Sequence, residues 1–234
     1  MEAGNGMNDS HRYCVAFSTF VRKYWEDLRA FTKTYSLQRK QVVYSVGDPP
    51  DAIYLIESGK IKVVQLSPDG TEKILGLYQE RDLFGEVCIC EVAKRDDQAI
   101  ALEPATVTSF SVKVVLELVA QKPELALKLL MVFCARLVEC HEDVNALAFY
   151  EVRERLAKEL LRLCRSPASQ QENGGVQLAV SLTHQELAQL VNTTRETATA
   201  IMNEFRRHEL VDYGRGEILV FPSKLENYLR KSAL

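Results

Sequence analysis

The sequence predicts an α+β chain with an N-terminal antiparallel β-roll of the jelly-roll kind, a long helix suited to dimerisation, and a C-terminal winged helix-turn-helix. Three observations predict it. Residues 37 to about 119 hold short β-rich runs split by turn signals. A helical pattern then runs unbroken from Pro123 to about Phe149. Finally, "LTHQELAQLVNTTRETATAIMNEFRR" (182–207) sets two short amphipathic helices back to back, with an apolar hairpin after them.

Residues 1–35 read as a loose leader plus a helix around residues 17–31. The β-rich runs are "VVYSV", "AIYLIESGKIKVVQL", "KILGLY", "AIAL" and "VTSFSV". Between them lie Gly47-Asp48-Pro49-Pro50, Ser58-Gly59 and Pro68-Asp69-Gly70. Short strands at this spacing favour an antiparallel sandwich.

Proline is tolerated in the first turn of a helix, so Pro123 marks the start of the long one. Within it, Phe133, Cys140 and Leu147 recur at seven-residue spacing, as do Leu130, Leu137 and Val144. These fit the a and d positions of a narrow coiled-coil seam. The alternative is a stripe that packs only on the β-domain. The helix length and a repeat nearer seven than a broad 3.6-residue face favour a homodimer. "EVRERLAKELLRLCRS" extends a further helix toward the C-terminal part, and "SPASQQENGG" (166–175) is a polar loop. The expected division is 1–121, 122–149 and 150–234, with the boundary near residues 148–150.

In the helix pair, Leu187, Leu190 and Val191 make one apolar stripe, and Ala198, Ile201, Met202 and Phe205 make another. Both follow the spacing of a helix with one buried face. Thr183 and Glu186 fit a capping box. Asn192 falls at the break, where a left-handed backbone is needed and asparagine tolerates it. Thr193 or Thr194 caps the second helix, whose outward residues are then Arg195, Glu196, Thr199 and Asn203. Arginine bridges the two acceptors of guanine, and glutamate accepts from the amino group of cytosine. Arg206 and Arg207 suit phosphates. "GGVQLAVSLT" before the pair and "LVDYGRGEILVF" after it read as strands, the latter as a hairpin around Gly-Arg-Gly-Glu. A helical hairpin in an ordinary core would share the apolar stripes. The flanking strands favour a winged reader of double-stranded DNA.

Bulk properties constrain the rest. The 234 residues, 47% hydrophobic and 26% charged, fit an ordinary globular chain of one or two domains. The net charge is −3, so no global basic patch points to nucleic acid. Residues 1–150 carry 17 basic and 21 acidic side chains, and residues 151–234 carry 12 and 11. Charge therefore leans toward the proposed reader. No secretory signal pattern opens the chain, and Lys128 interrupts the best apolar run, so no membrane span is expected. Cysteines at 14, 88, 90, 134, 140 and 164 form no compact disulfide framework. The expected location is the cytoplasm. His11, His184 and His208 read as surface or turn residues. Cys140 and His141 diverge on a helix, and no catalytic constellation is legible.

A β-roll, a long helix and a winged helix, in that order, resemble the CRP/FNR superfamily of transcription regulators. The resemblance covers roughly residues 36 to 222. It is carried by "LFGEV" (83–87), "NALAFYEV" (145–152) and "TRETAT" (194–199). It implies a cyclic-nucleotide-binding-like β-roll over 1–121 that senses an effector, a dimer helix, and a homodimer on a palindromic site with GTG-like halves. RNA polymerase is a further partner implied. By the same resemblance, Gly85 and Glu86 match the pair that meets a ribose, and Arg95 matches the arginine that meets a cyclic phosphate. The following Asp96 and Asp97 stand where the family usually has small residues. Two carboxylates beside a phosphate repel it by about 1–4 kcal/mol per close pair. Cys140 and His141 replace the hydroxyl residues that face adenine. The expected effector is therefore unidentified and not cyclic AMP, and no cofactor is assigned. The alternative is a metal- or redox-responsive sensor using Cys88, Cys90, Cys140 and His141, since thiolates and imidazole suit soft or borderline metals. Buried cysteines acting as small hydrophobes are the plainer reading. If 88–90 is a strand the two thiols share a face; if it is a short helix they do not.

Overall fold

The computed structural model describes residues 9–23, 31–90, 93–172, 174–214 and 216–232. The chain divides into two compact units, residues 9–137 and residues 138–234, with the division inside the long helix.

The first unit is an antiparallel β-roll. Its strands are β1 (Thr32–Leu37), β2 (Val42–Tyr44), β3 (Ala52–Ser58), β4 (Lys60–Leu66), β5 (Glu72–Gln79), β6 (Leu83–Phe84), β7 (Asp97–Ala101) and β8 (Ala105–Ser111). They form two four-stranded sheets, ordered β1-β8-β3-β6 and β2-β7-β4-β5. Tyr54, Ile56, Phe84 and Val107 of one sheet meet Tyr44, Ile61, Val63 and Ala99 of the other in a shared core. The opposite face of the first sheet is also covered. There Ile53, Leu55, Leu83 and Phe110 pack with helical residues Cys14, Phe17, Val115, Leu125, Leu129 and Val132. That double coverage is why "AIYLI" in β3 is continuously apolar rather than alternating.

Three helices supply the cover: α1 (Asp9–Lys23), α2 (Val112–Gln121) and the start of α3 (Pro123–Phe149). The expected helix around residues 17–31 instead begins at Asp9. Ser10, Cys14 and Phe17 recur at i, i+4, i+7 and bury one stripe. Residues 1–8, the start of the expected leader, and 24–30, the end of the expected helix, lie outside the described residues. Two further corrections follow from tertiary context. Thr32–Leu37 is a strand, paired along its length with β8. Val112–Gln121 is a helix despite its valines, because Val115, Leu118 and Val119 pack on the core at helical spacing. α3 spans Pro123–Phe149 as the pattern predicts.

The second unit contains α4 (Val152–Cys164), β9 (Gln170–Glu172), β10 (Gly175–Gln177), α5 (His184–Val191), α6 (Arg195–Arg207), β11 (Val211–Gly214), β12 (Glu217–Val220) and α7 (Pro222–Ser232). Its sheet is ordered β11-β12-β10-β9. The expected polar loop at 166–175 contains β9, which pairs with β10. α7 was not foreseen; Pro222 takes its first position. The fold is a mixed helix and strand chain of the predicted class. No helix among the described residues is long and apolar enough to cross a membrane.

Candidate nucleic-acid interface and effector site

The reader is built by local chemistry. Thr183 caps α5: its hydroxyl accepts from the Glu186 amide at 3.2 Å, and the Glu186 carboxylate accepts from the Thr183 amide at 2.8 Å. Asn192 ends the helix at φ 53°, in the left-handed region. Thr194, rather than Thr193, caps α6, accepting from the Thr197 amide at 3.2 Å. Ala198, Ile201, Met202 and Phe205 are buried, which turns Arg195, Glu196, Asn203, Arg206 and Arg207 outward into solvent. Thr193 and Thr199 are half-buried.

The exposed face is electrostatically prepared. Its own backbone amide, and then the Thr194 hydroxyl, hold the Glu196 carboxyl below the usual carboxylate range. Glu196 is therefore an ionised acceptor at neutral pH. Arg206 pairs with Asp212 of β11 at 3.1 Å and lies 5.1 Å over the Tyr213 ring. The Tyr213 hydroxyl donates to Asn203 Oδ1 at 2.8 Å. His184 is not a bare surface residue: its Nδ1 lies 3.0 Å from the Thr199 hydroxyl, and its ring meets Tyr213 edge-on at 5.1 Å. Burial first, and the Arg195 charge second, push its pKa below the ordinary histidine value.

Sequence reasoning missed Arg155, on α4. Its guanidinium donates to three carbonyls: Val191 at 3.0 Å, Asn192 at 3.3 Å, and Tyr150 at 2.9 Å. It thus ties the turn that aims α6 to the backbone just after α3. A cation at the C-terminal end of α5 also complements the helix dipole. The amphipathic period of "EVRERLAK" marks Arg155 as a flank of the buried face, but says nothing of its distant acceptors.

In the β-roll, Gly85 adopts φ +74°, and a side chain there would approach both Arg95 Nη1 and Tyr54 to 3.1 Å. Arg95 is buried, donating to the Ala52 carbonyl at 2.5 Å and to the Gly85 carbonyl at 3.3 Å. Its guanidinium lies 3.8 Å over the Tyr44 ring. Its Nε is the one Arg95 nitrogen with no hydrogen-bond partner among the described residues. Glu86 is also buried and forms an ion pair with Arg136 of α3. Arg136, also unforeseen, donates to the Leu83 carbonyl and sits 4.8 Å over the Tyr78 ring. Tyr44, Tyr54, Tyr78 and Phe84 stack between these two arginines, with Tyr54 and Phe84 centroids 5.1 Å apart. Asp97 accepts from the Tyr44 hydroxyl, and burial raises its pKa against the pull of Arg95. Asp96 is exposed. As placed, Arg95 has two backbone carbonyl acceptors and Arg136 a carboxylate and a carbonyl, and each lies over a tyrosine ring.

The thiols are dispersed. Residues 86–90 form a short 3₁₀ helix that buries Cys88 and exposes Cys90. Burial pushes the Cys88 thiol up to about 11, far from the reactive thiolate range. Cys140 and His141 are exposed on α3, in the other unit. Among the described residues, no group of three or more His, Cys, Asp or Glu side chains could hold a metal ion. His11 is also buried more than expected, 2.6 Å from Asp82.

Two family models match the chain: a cyclic nucleotide-binding domain over residues 35–122 and a Crp-like helix-turn-helix domain over residues 154–228. The CRP-like cAMP-activated global transcriptional regulator of Mycobacterium tuberculosis is 31% identical over 186 residues, 80% of this chain and 83% of the relative. The cyclic AMP receptor protein of Thermus thermophilus is 30% identical over 193 residues, 82% of this chain and 85% of that one. The crystal structure of a CRP/FNR family transcriptional regulator from Thermus thermophilus superposes with a TM-score of 0.70 at 26% identity. That match covers 85% of this chain and 98% of the other.

Proposed function

The chain belongs to the CRP/FNR family of transcription regulators, and we propose that it acts as a cytoplasmic homodimer that reads a palindromic DNA site through α6. The observation that carries this reading is the exposed face of α6, where Arg195 and ionised Glu196 stand clear at the start of a capped, well-packed helix. In this reading Arg195 bridges a guanine and Glu196 accepts from a cytosine, while Thr199 and Asn203 refine the contact. Thr193, Thr194, Arg206 and Arg207 address the backbone. Two copies would meet half-sites about one helical turn apart, ~34 Å centre to centre.

Dimerisation is assigned to α3. Leu130, Leu137, Val144 and Leu147 are 56%, 56%, 57% and 44% exposed in the single chain, and Phe133 and Cys140 complete the heptad pattern. Apolar side chains repeated along one seam call for a partner surface. Functionally, residues 1–121 sense, 122–149 dimerise and 150–234 read, with RNA polymerase as the further partner of a DNA-bound regulator.

The effector is the finer part of the proposal. Cyclic AMP activates the mycobacterial relative by name, which makes it the first ligand to try. Here Arg95 and Glu86 are already committed to backbone carbonyls and to Arg136, and Asp97 lies beside Arg95. We therefore assign cyclic AMP weak or no binding, and DNA binding that does not require it. Calorimetry with cyclic AMP, beside DNA titrations with and without the nucleotide across a range of salt, tests both halves. A steep salt slope without nucleotide is the expected result. Micromolar nucleotide binding that switches DNA affinity would refute the effector assignment.

A further inference from the structure

We propose that Tyr213, on the first strand of the wing, is a positioning residue that sets which base Asn203 reads. The inference rests on α6 being the DNA reader. Four contacts converge on this one side chain and its neighbour. The Tyr213 hydroxyl donates to Asn203 Oδ1 at 2.8 Å. Its ring lies beneath the Arg206 guanidinium at 5.1 Å. The same ring takes the edge of His184 at 5.1 Å, and His184 in turn holds the Thr199 hydroxyl at 3.0 Å. The adjacent Asp212 pairs with Arg206 at 3.1 Å. Asn203 and Thr199 belong to the proposed reading set of α6 and Arg206 to its backbone contacts, so the wing and His184 of α5 together hold this end of the α6 face before DNA arrives.

The hydrogen-bond direction has a chemical consequence. A free asparagine reads adenine with both ends of its amide, accepting from the amino group and donating to the ring nitrogen. Here the Tyr213 hydroxyl donates to Oδ1 and holds that end of the amide toward the wing. Nδ2 makes no hydrogen bond among the described residues. The side chain is therefore presented to DNA as a donor, which matches acceptor edges: the two acceptors of guanine or the carbonyl of thymine. Adenine, whose two-ended contact needs Oδ1 turned to the base together with Nδ2, is disfavoured at that position because Tyr213 holds Oδ1 toward the wing. Holding the rotamer in advance also lowers the ordering cost of the contact.

The experiment is selection from a library of duplexes with a random core, using the full chain as wild type, Tyr213→Phe, Asn203→Ala and the double variant. Phenylalanine keeps the ring beneath Arg206 and against His184 and removes only the hydroxyl. The wild type should enrich guanine or thymine at one position of each half-site. Tyr213→Phe should raise adenine there by about five-fold or more, the low end of what one bidentate base contact discriminates. The shift should vanish when Asn203 is alanine, while positions read by Arg195 and Glu196 stay the same in all four proteins. An unchanged profile for Tyr213→Phe would overturn the proposal, as would a shift that persists without Asn203. If the wild type enriches no sequence, the α6 reading itself fails and this inference with it, an outcome plainly distinct from the other two.

Discussion

Leu137→Asp should dissociate the dimer while leaving each chain folded. Leu137 is 56% exposed in the single chain, so the substitution opens no hole in the core. Fully burying a leucine is worth about 1.5–3 kcal/mol, and covering its exposed half about 1–1.5 kcal/mol per copy. The symmetric pair then loses about 2–3 kcal/mol of apolar burial. Two carboxylates facing each other at about 4 Å add a repulsion of about 1–4 kcal/mol, for effective dielectrics from 80 down to 20. The total, about 3–7 kcal/mol, weakens the dimer constant by roughly a hundred-fold to a hundred-thousand-fold. Sedimentation velocity over a concentration series, with circular dichroism as the folding control, reads this directly. A folded variant that sediments as an unchanged dimer would remove Leu137 from the interface and α3 from its assigned role.

Other substitutions probe single contacts. Arg136→Ala leaves buried Glu86 without its ion partner and should destabilise the β-roll by about 3–5 kcal/mol, visible in urea unfolding. Pairing it with Glu86→Gln should recover part of that loss. Arg155→Ala withdraws a cation from three carbonyls and should cost the winged unit about 1.5–3 kcal/mol, read as a lower melting temperature for that unit. His184 has a folded pKa below its ordinary 6.5, so folding favours the neutral ring. Its contribution is complete above about pH 6.5 and is lost as pH falls through the folded value. Thermal unfolding at about pH 7 and pH 5 should show the winged unit weakening on acidification, and His184→Gln should flatten that dependence.

The helix-turn-helix was legible because every signal in it is local. Thr183, Glu186, Asn192 and Thr194 declare caps and a left-handed turn within a dozen residues, and the apolar stripes give the period. α3 was legible for the same reason, a proline start followed by an unbroken pattern. Where β-branched residues and helical spacing compete, as in "VKVVLELVA", only the neighbouring core decides, and the strand-like composition misled. β1 was hidden because its side chains are mostly exposed and alternate weakly. Long-range partners leave no local trace. Arg136 reaches Glu86 across 50 positions, and Arg155 reaches Asn192 across 37. A lone cation beside an apolar stripe reads equally well as a solvated flank. The pair Cys88 and Cys90 shows the converse: proximity in sequence places the two thiols at very different depths once the segment coils into a 3₁₀ helix.

The most direct test of DNA reading by α6 is fluorescence anisotropy of the full chain on a palindrome obtained by selection, against a scrambled duplex, for wild type and Arg195→Ala. The wild type should prefer the palindrome. Arg195→Ala should lose about 1–3 kcal/mol of that preference while its binding to scrambled DNA changes little. Full discrimination retained by Arg195→Ala, or equal wild-type affinity for both duplexes, would contradict the assignment.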